Sequence, residues 1–137
     1  MSFLIMSAFR QGLSQEENLR RHHQLDATWS SILGAHPKLT LGSYVENESG
    51  KAGVELGIKI EASGSVPFPK VLQIALKLAQ FFDQDSVLVV DYSKDATLVY
   101  PTGEPDSALG KWTPVSQSQA LKRPYWTNIS GQYFITE

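Results

Sequence analysis

The sequence predicts an α+β fold: a ferredoxin-like β-α-β-β-α-β sandwich with an extra C-terminal hairpin or arm. Three observations predict it. Two short runs, Phe3-Leu4-Ile5-Met6 and Val87-Leu88-Val89-Val90, are apolar at every position, which suits strands covered on both faces. Two longer segments carry helical apolar stripes. Between those segments, two stretches alternate with period 2.

The first run is followed by a turn around Gln11-Gly12. Ser14 then reads as a helix N-cap, with Glu17 three residues on completing a capping box. Leu25, Trp29, Ile32 and Leu33 make the stripe of this helix, from about 14 to 33. Gly34 and Pro37 stop it. In the hairpin that follows, Leu39, Leu41 and Val45 alternate with Thr40, Gly42, Tyr44 and Glu46. After a turn at Asn47-Glu48-Ser49-Gly50, Val54, Leu56, Ile58 and Ile60 alternate with Gly53, Glu55, Gly57, Lys59 and Glu61. The apolar sets should face the helices, leaving Tyr44 and Glu55 on the open face. A register centred on Ser49-Gly50 sets Tyr44 directly across from Glu55.

Pro67 and Pro69 open the second helix, whose stripe is Val71, Leu72, Ala75, Leu78, Ala79 and Phe82. Asp83-Gln84-Asp85 ends it before the second apolar run. Leu98-Val99-Tyr100 reads as one more strand. The aromatic-rich remainder (Trp112, Tyr125, Trp126, Tyr133, Phe134) reads as an arm. The chain is expected to be one domain over 1–137, with its core at about 1–100 and the arm at about 101–137. Two helices cover one face of such a sheet, so another cover is needed for the second. A symmetric oligomer is the expected cover, and the tail folded over the sheet is the alternative.

The 137 residues suffice for a real core, and the absence of cysteine excludes disulfides and thiolate chemistry. Met1 to Phe9 has no basic residues ahead of its apolar run, and Arg10 ends it too early for a signal peptide or a span. A cytoplasmic location without membrane contact is expected. A net charge of −2 without blocks of like charge argues against nucleic-acid binding and against an acidic DNA mimic. A small molecule or a protein is left as partner.

No dinucleotide fingerprint, P-loop, nucleophile elbow or HExxH is present. His22 and His23 lie about 100° apart on their helix and cannot readily share a metal, so a metal site is not expected there. Glu55 stands mid-strand between Gly53 and Gly57, in a hollow where a ligand or another backbone can approach. It reads either as a surface carboxylate or as the anchor of a cationic ligand group, with Tyr44 beside it. A second cluster joins Ser7-Ala8-Phe9-Arg10 to Asn18 and His22, which share a face near a helix N-terminus. It could hold a carboxylate. Equally, Arg10 could pair with Glu16 or Glu17 while His22 edges the core.

Ser7-Ala8-Phe9-Arg10, then Asn18 and His22, then Gln84-Asp85 leading into Val87-Leu88-Val89, resemble the pattern of the bacteriophage S-adenosylmethionine (SAM) lyases, formerly called SAM hydrolases. The resemblance is clearest over about 4–33 and 80–92. It implies a trimer like the PII signalling proteins, with SAM bound between subunits in the host cytoplasm. The implied reaction splits SAM into 5′-methylthioadenosine and L-homoserine lactone without cofactor or metal, lowering the SAM used by host restriction. By position, Glu55 would hold the substrate ammonium with Tyr44 beside it. Ser7, Arg10, Asn18, His22, Gln84 and Asp85 would line the substrate site. Three other functions compete: a PII-like sensor binding an adenine-containing metabolite without turnover, a protein that blocks a host enzyme through its aromatic tail, and a hydrolase releasing homoserine directly.

Overall fold

A computed structural model of the protein describes residues 1–45 and 52–137, the side chains of 44, 45 and 52 excepted. The elements run β1 (Phe3–Ser7), α1 (Gln15–Leu33), β2 (Lys38–Val45), β3 (Ala52–Glu61), α2 (Phe68–Phe81) and β4 (Val87–Val90). They continue as β5 (Asp95–Val99), β6 (Ser107–Val115), α3 (Gln117–Ala120), β7 (Thr127–Ile129) and β8 (Gln132–Thr136). The turn expected at Asn47-Glu48-Ser49-Gly50 lies outside the described residues.

The architecture corrects the expected one. The strands form a closed antiparallel barrel in the order β1-β3-β2-β7-β8-β6-β5-β4, not a two-layer ferredoxin-like sandwich with an arm. The segment read as an appendage supplies β6, β7 and β8, and closes the sheet on itself. The physical reason lies in the second face of β1 and β4. Leu4 and Met6 point outward, and with Ile58, Ile60 and Val87 they pack against Leu25, Trp29, Val71, Ala75 and Phe82 of the helical side. Phe3 and Val90 point inward, and with Ala96, Trp112 and Ile129 they form a second core inside the barrel. Fully burying one such side chain contributes about 1.5–3 kcal/mol, so both faces must be covered. The tail covers the second face within the chain.

Local chemistry explains the boundaries. Ser14 caps α1, its hydroxyl accepting from the Glu17 N–H at 3.1 Å, and Gly34 ends the helix at φ 74°. The reciprocal half of the expected capping box is replaced, since the Glu17 carboxylate pairs with Arg20. Trp29 is fully buried, and its indole N–H reaches Met6 Sδ at 3.4 Å.

Register is set by close approach. Gly42 pairs with Glu55 and Tyr44 with Gly53, two positions from the expected Tyr44–Glu55 pair. A two-residue slip keeps every side chain on its face, so alternation cannot detect it. Gly57 decides it, because a Cβ there would lie 2.8 Å from Thr40 Oγ1 and 2.9 Å from Met6 O. A glycine is required where β1, β2 and β3 press together. The seam between β2 and β7 is short. It spans three pairs, Thr40 with Ile129, Leu41 with Asn128 and Gly42 with Thr127. Ser43 extends the seam, donating its N–H to Trp126 O at 2.9 Å while its hydroxyl accepts the Trp126 N–H at 2.8 Å.

Candidate functional site

One mouth of the barrel opens into a cleft of about 670 Å³, a size that suits a small ligand. Its rim joins the end of β1, the paired ends of β2 and β3, the approach to β4 and the approach to β7. Its depth is apolar, with Leu88, Leu98, Leu109, Trp112 and Phe134. The last two rings stack at 5.0 Å, and Phe3 meets Trp112 edge-on at 5.8 Å.

Glu55 stands on the inward-facing side of β3 and lines this cleft. Among the described residues its carboxylate has neither a hydrogen-bond donor nor an ion-pair partner. Burial pushes its pKa up to about 7. The position is built from glycines of two kinds. Gly57 is sterically required, as above. Gly42, directly opposite Glu55, is not: a Cβ there would meet nothing closer than Trp126 O at 3.9 Å. Its missing side chain leaves room beside the carboxylate without being sterically required.

The Ser7–Arg10 segment forms the neighbouring rim, and a set of polar contacts shapes it. The Ser7 hydroxyl donates to Leu56 O at 2.7 Å and accepts the Phe9 N–H at 3.0 Å. Asn18 brackets Arg10, accepting its backbone N–H at 2.9 Å and donating to its carbonyl at 3.1 Å. Gln84 donates to Phe9 O at 2.9 Å, and Arg21 donates to Ala8 O at 2.7 Å. The Arg10 guanidinium donates to the Asp83 carbonyl and lies 3.5 Å from its carboxylate, so its partner is neither Glu16 nor Glu17.

Ser7, Arg10, Asn18, Gln84 and Asp85 all line the cleft with Glu55. Two of the expected residues stand apart from this group. His22 is buried behind the rim, its ring edge-on to Phe9 at 6.4 Å and its Nδ1 without a partner among the described residues. Burial, with His23 beside it, holds its pKa below the usual imidazole value. Tyr44 is placed in the β2 ladder opposite Gly53, and its side chain is outside the description.

Sequence reasoning missed Thr40, Gly42 and the Trp112–Phe134 floor. The usable signal for the floor was the aromatic density of the tail, which has no period to say where those rings go.

The arrangement suits a ligand with a cationic group and a flat apolar part. The cation would meet Glu55, and the flat part would reach the aromatic depth. No curated protein matches the chain. The model of the S-adenosylmethionine lyase family matches residues 4–137, nearly the whole length. The protein therefore belongs to the S-adenosylmethionine lyase family.

Proposed function

We propose that the chain cleaves SAM to 5′-methylthioadenosine and L-homoserine lactone. The observation that carries the reading is Glu55: a carboxylate withdrawn from water in a small-molecule cleft, with no cation beside it among the described residues. The substrate ammonium is the cation it holds. A buried charge left alone is costly, and a hydrogen-bonded partner of opposite charge offsets that cost.

With the ammonium anchored, the substrate carboxylate folds back onto its own Cγ. A C–O bond forms as the C–S bond breaks, and the electron pair leaves on sulfur as a neutral thioether. No proton moves, so no general acid or base is needed. Holding nucleophile, carbon and leaving group in line is the main requirement, and intramolecular orientation reaches effective molarities of about 10⁵–10⁸ M. Closure neutralises charge, so a poorly hydrated cleft favours it. An arginine clamped on the attacking carboxylate would weaken the nucleophile, and the engagement of Arg10 with Asp83 supports a rim role for it. In this reading Ser7, Asn18 and Gln84 hold the rim, Asp85 borders the substrate, and His22 backs Phe9. Tyr44, on the same inward face of β2 as Gly42, is assigned by this reading to assist the anchor.

We further infer a homotrimer with the clefts between subunits. Its support is an outward strip on β2 and β3, where Leu39 and Val54 are 57% and 50% exposed and Leu41 is also exposed. The role would be to lower SAM in a phage-infected host.

The test is incubation of the purified chain with SAM beside a Glu55→Gln variant, following both products by mass spectrometry. Methylthioadenosine and lactone from the wild type, with little from the variant, are expected. No product from a folded sample overturns the lyase reading. Tight binding without product would identify a sensor instead.

A further inference from the structure

The opposite mouth of the barrel holds a second cavity of about 330 Å³, walled by Lys38, Lys59 and Lys94 around Phe3, Trp112 and Phe134. We propose that it is a second binding site, for a small multiply charged anion of the phosphate class.

The first observation is a broken local rule. Lys38 and Lys59 are direct cross-strand partners, so two ammonium-bearing side chains stand opposite each other on the barrel's inner face. Like charges in that position destabilise a sheet. Places where a local rule is broken are where functional or strained sites are expected. The second observation is convergence from elsewhere in the chain. Lys94 comes from the β4–β5 turn, in the left-handed region at φ 68°, and its carbonyl accepts the Trp112 N–H at 2.8 Å. That bond ties the turn to the cavity floor.

The third observation is the charge balance. Lys59 lies 3.1 Å from Glu61 and 4.5 Å from the centre of the Phe3 ring. Among the described residues, Lys38 and Lys94 have no acidic partner. Three ammonium groups facing one carboxylate leave a positive excess that one monovalent anion does not offset. A phosphate or pyrophosphate carries enough charge, and its oxygens can meet several lysines at once. The cavity holds a group of that size over an apolar floor.

This site is independent of the lyase reading. The full-length chain is titrated with inorganic pyrophosphate at constant ionic strength, by calorimetry and by ³¹P line width. The titrations are repeated with Lys38→Gln, Lys94→Gln, the double variant and Glu55→Gln, each verified as folded by circular dichroism. Expected is saturable binding of one anion per chain, weakened about tenfold by each lysine change and unchanged in Glu55→Gln. Lack of saturation by about 10 mM pyrophosphate, or a double variant that binds like the wild type, overturns the proposal. A loss confined to Glu55→Gln would move the anion to the other mouth and overturn it equally.

Discussion

The two ends of the barrel are built on the same strands yet carry opposite charge. Glu55 and Lys59 sit on one inward face of β3. Glu55 stands opposite Gly42 at one mouth, and Lys59 opposite Lys38 at the other. Between them lie Trp112 and Phe134, which wall both cavities. At each mouth the chain holds a charge in a way that lowers its own stability, by burial at Glu55 and by like-charge opposition at Lys38. A fold optimised for stability alone would contain neither. The ends differ in the ligand each is suited to hold: a cation beside the Glu55 carboxylate, and an anion where Lys38 and Lys94 have no acidic partner among the described residues.

Neutralising the acidic end should have the largest effect. Glu55→Gln is expected to lower methylthioadenosine formation about 10²–10³-fold, the consequence of leaving the bound ammonium unpaired in a desolvated site. Retention of full activity would separate Glu55 from the reaction. In the wild type, turnover should rise with pH as Glu55 ionises around pH 7, and the variant should lack that limb.

Next in size is a test of the two glycines. Gly57→Ala forces a Cβ against Thr40 and backbone, and should cost about 2–4 kcal/mol in chemical denaturation. Gly42→Ala makes only an ordinary contact with Trp126 O and should cost less than about 1 kcal/mol, yet lose activity by narrowing the cleft beside Glu55. Equal stability losses would remove the distinction between a packing glycine and a site glycine.

A smaller effect concerns the stability cost of the buried acid. The folded pKa of Glu55 lies above its unfolded value, so the folded state binds the proton more tightly. Stability associated with this group is present below about pH 4.5 and is lost as pH rises toward about 7. At pH 8, Glu55→Gln should therefore be more stable than wild type by about 1–3 kcal/mol. Identical denaturation curves at pH 8 would mean the carboxylate is solvated. The smallest effect belongs to the basic end. Lys38→Gln should stabilise the chain by about 0.2–1 kcal/mol, less at high salt.

Much of the first ninety residues was legible because each element there has a period. Ser14 and Gly34 bracket α1, and the alternation of Leu39 to Ile60 marks the hairpin. The apolar runs at Phe3–Met6 and Val87–Val90 also reported correctly that both faces are covered. Which object covers the inner face was not legible. Ser107–Val115 contains glycine, lysine and proline without clean alternation, and its partner, β8, lies beyond α3 and β7. Glu55 was legible as a candidate because a carboxylate between two glycines departs from strand chemistry. The distinct roles of Gly42 and Gly57 were not, since they depend on which backbone approaches each. The engagement of Arg10 with Asp83 was also hidden, because it joins residues 73 apart in the chain.

The short β2–β7 seam also has a consequence in time. Its flanking partners, Ser43 and Trp126, are 83 residues apart in the chain, whereas β4 and β5 meet across a tight turn. Loop-closure entropy delays contacts of such separation; β1 and β4 pair across a comparable separation but are backed by the buried cluster of α1 and α2, so they should assemble first and the seam should zip last. A three-residue ladder with no helix packed behind it opens readily, so protection from hydrogen exchange should be lower there than across the equally short β1–β4 ladder. The cleft shares this seam through Gly42 and Thr127, so this wall should be among the last parts of the molecule to form and the first to breathe.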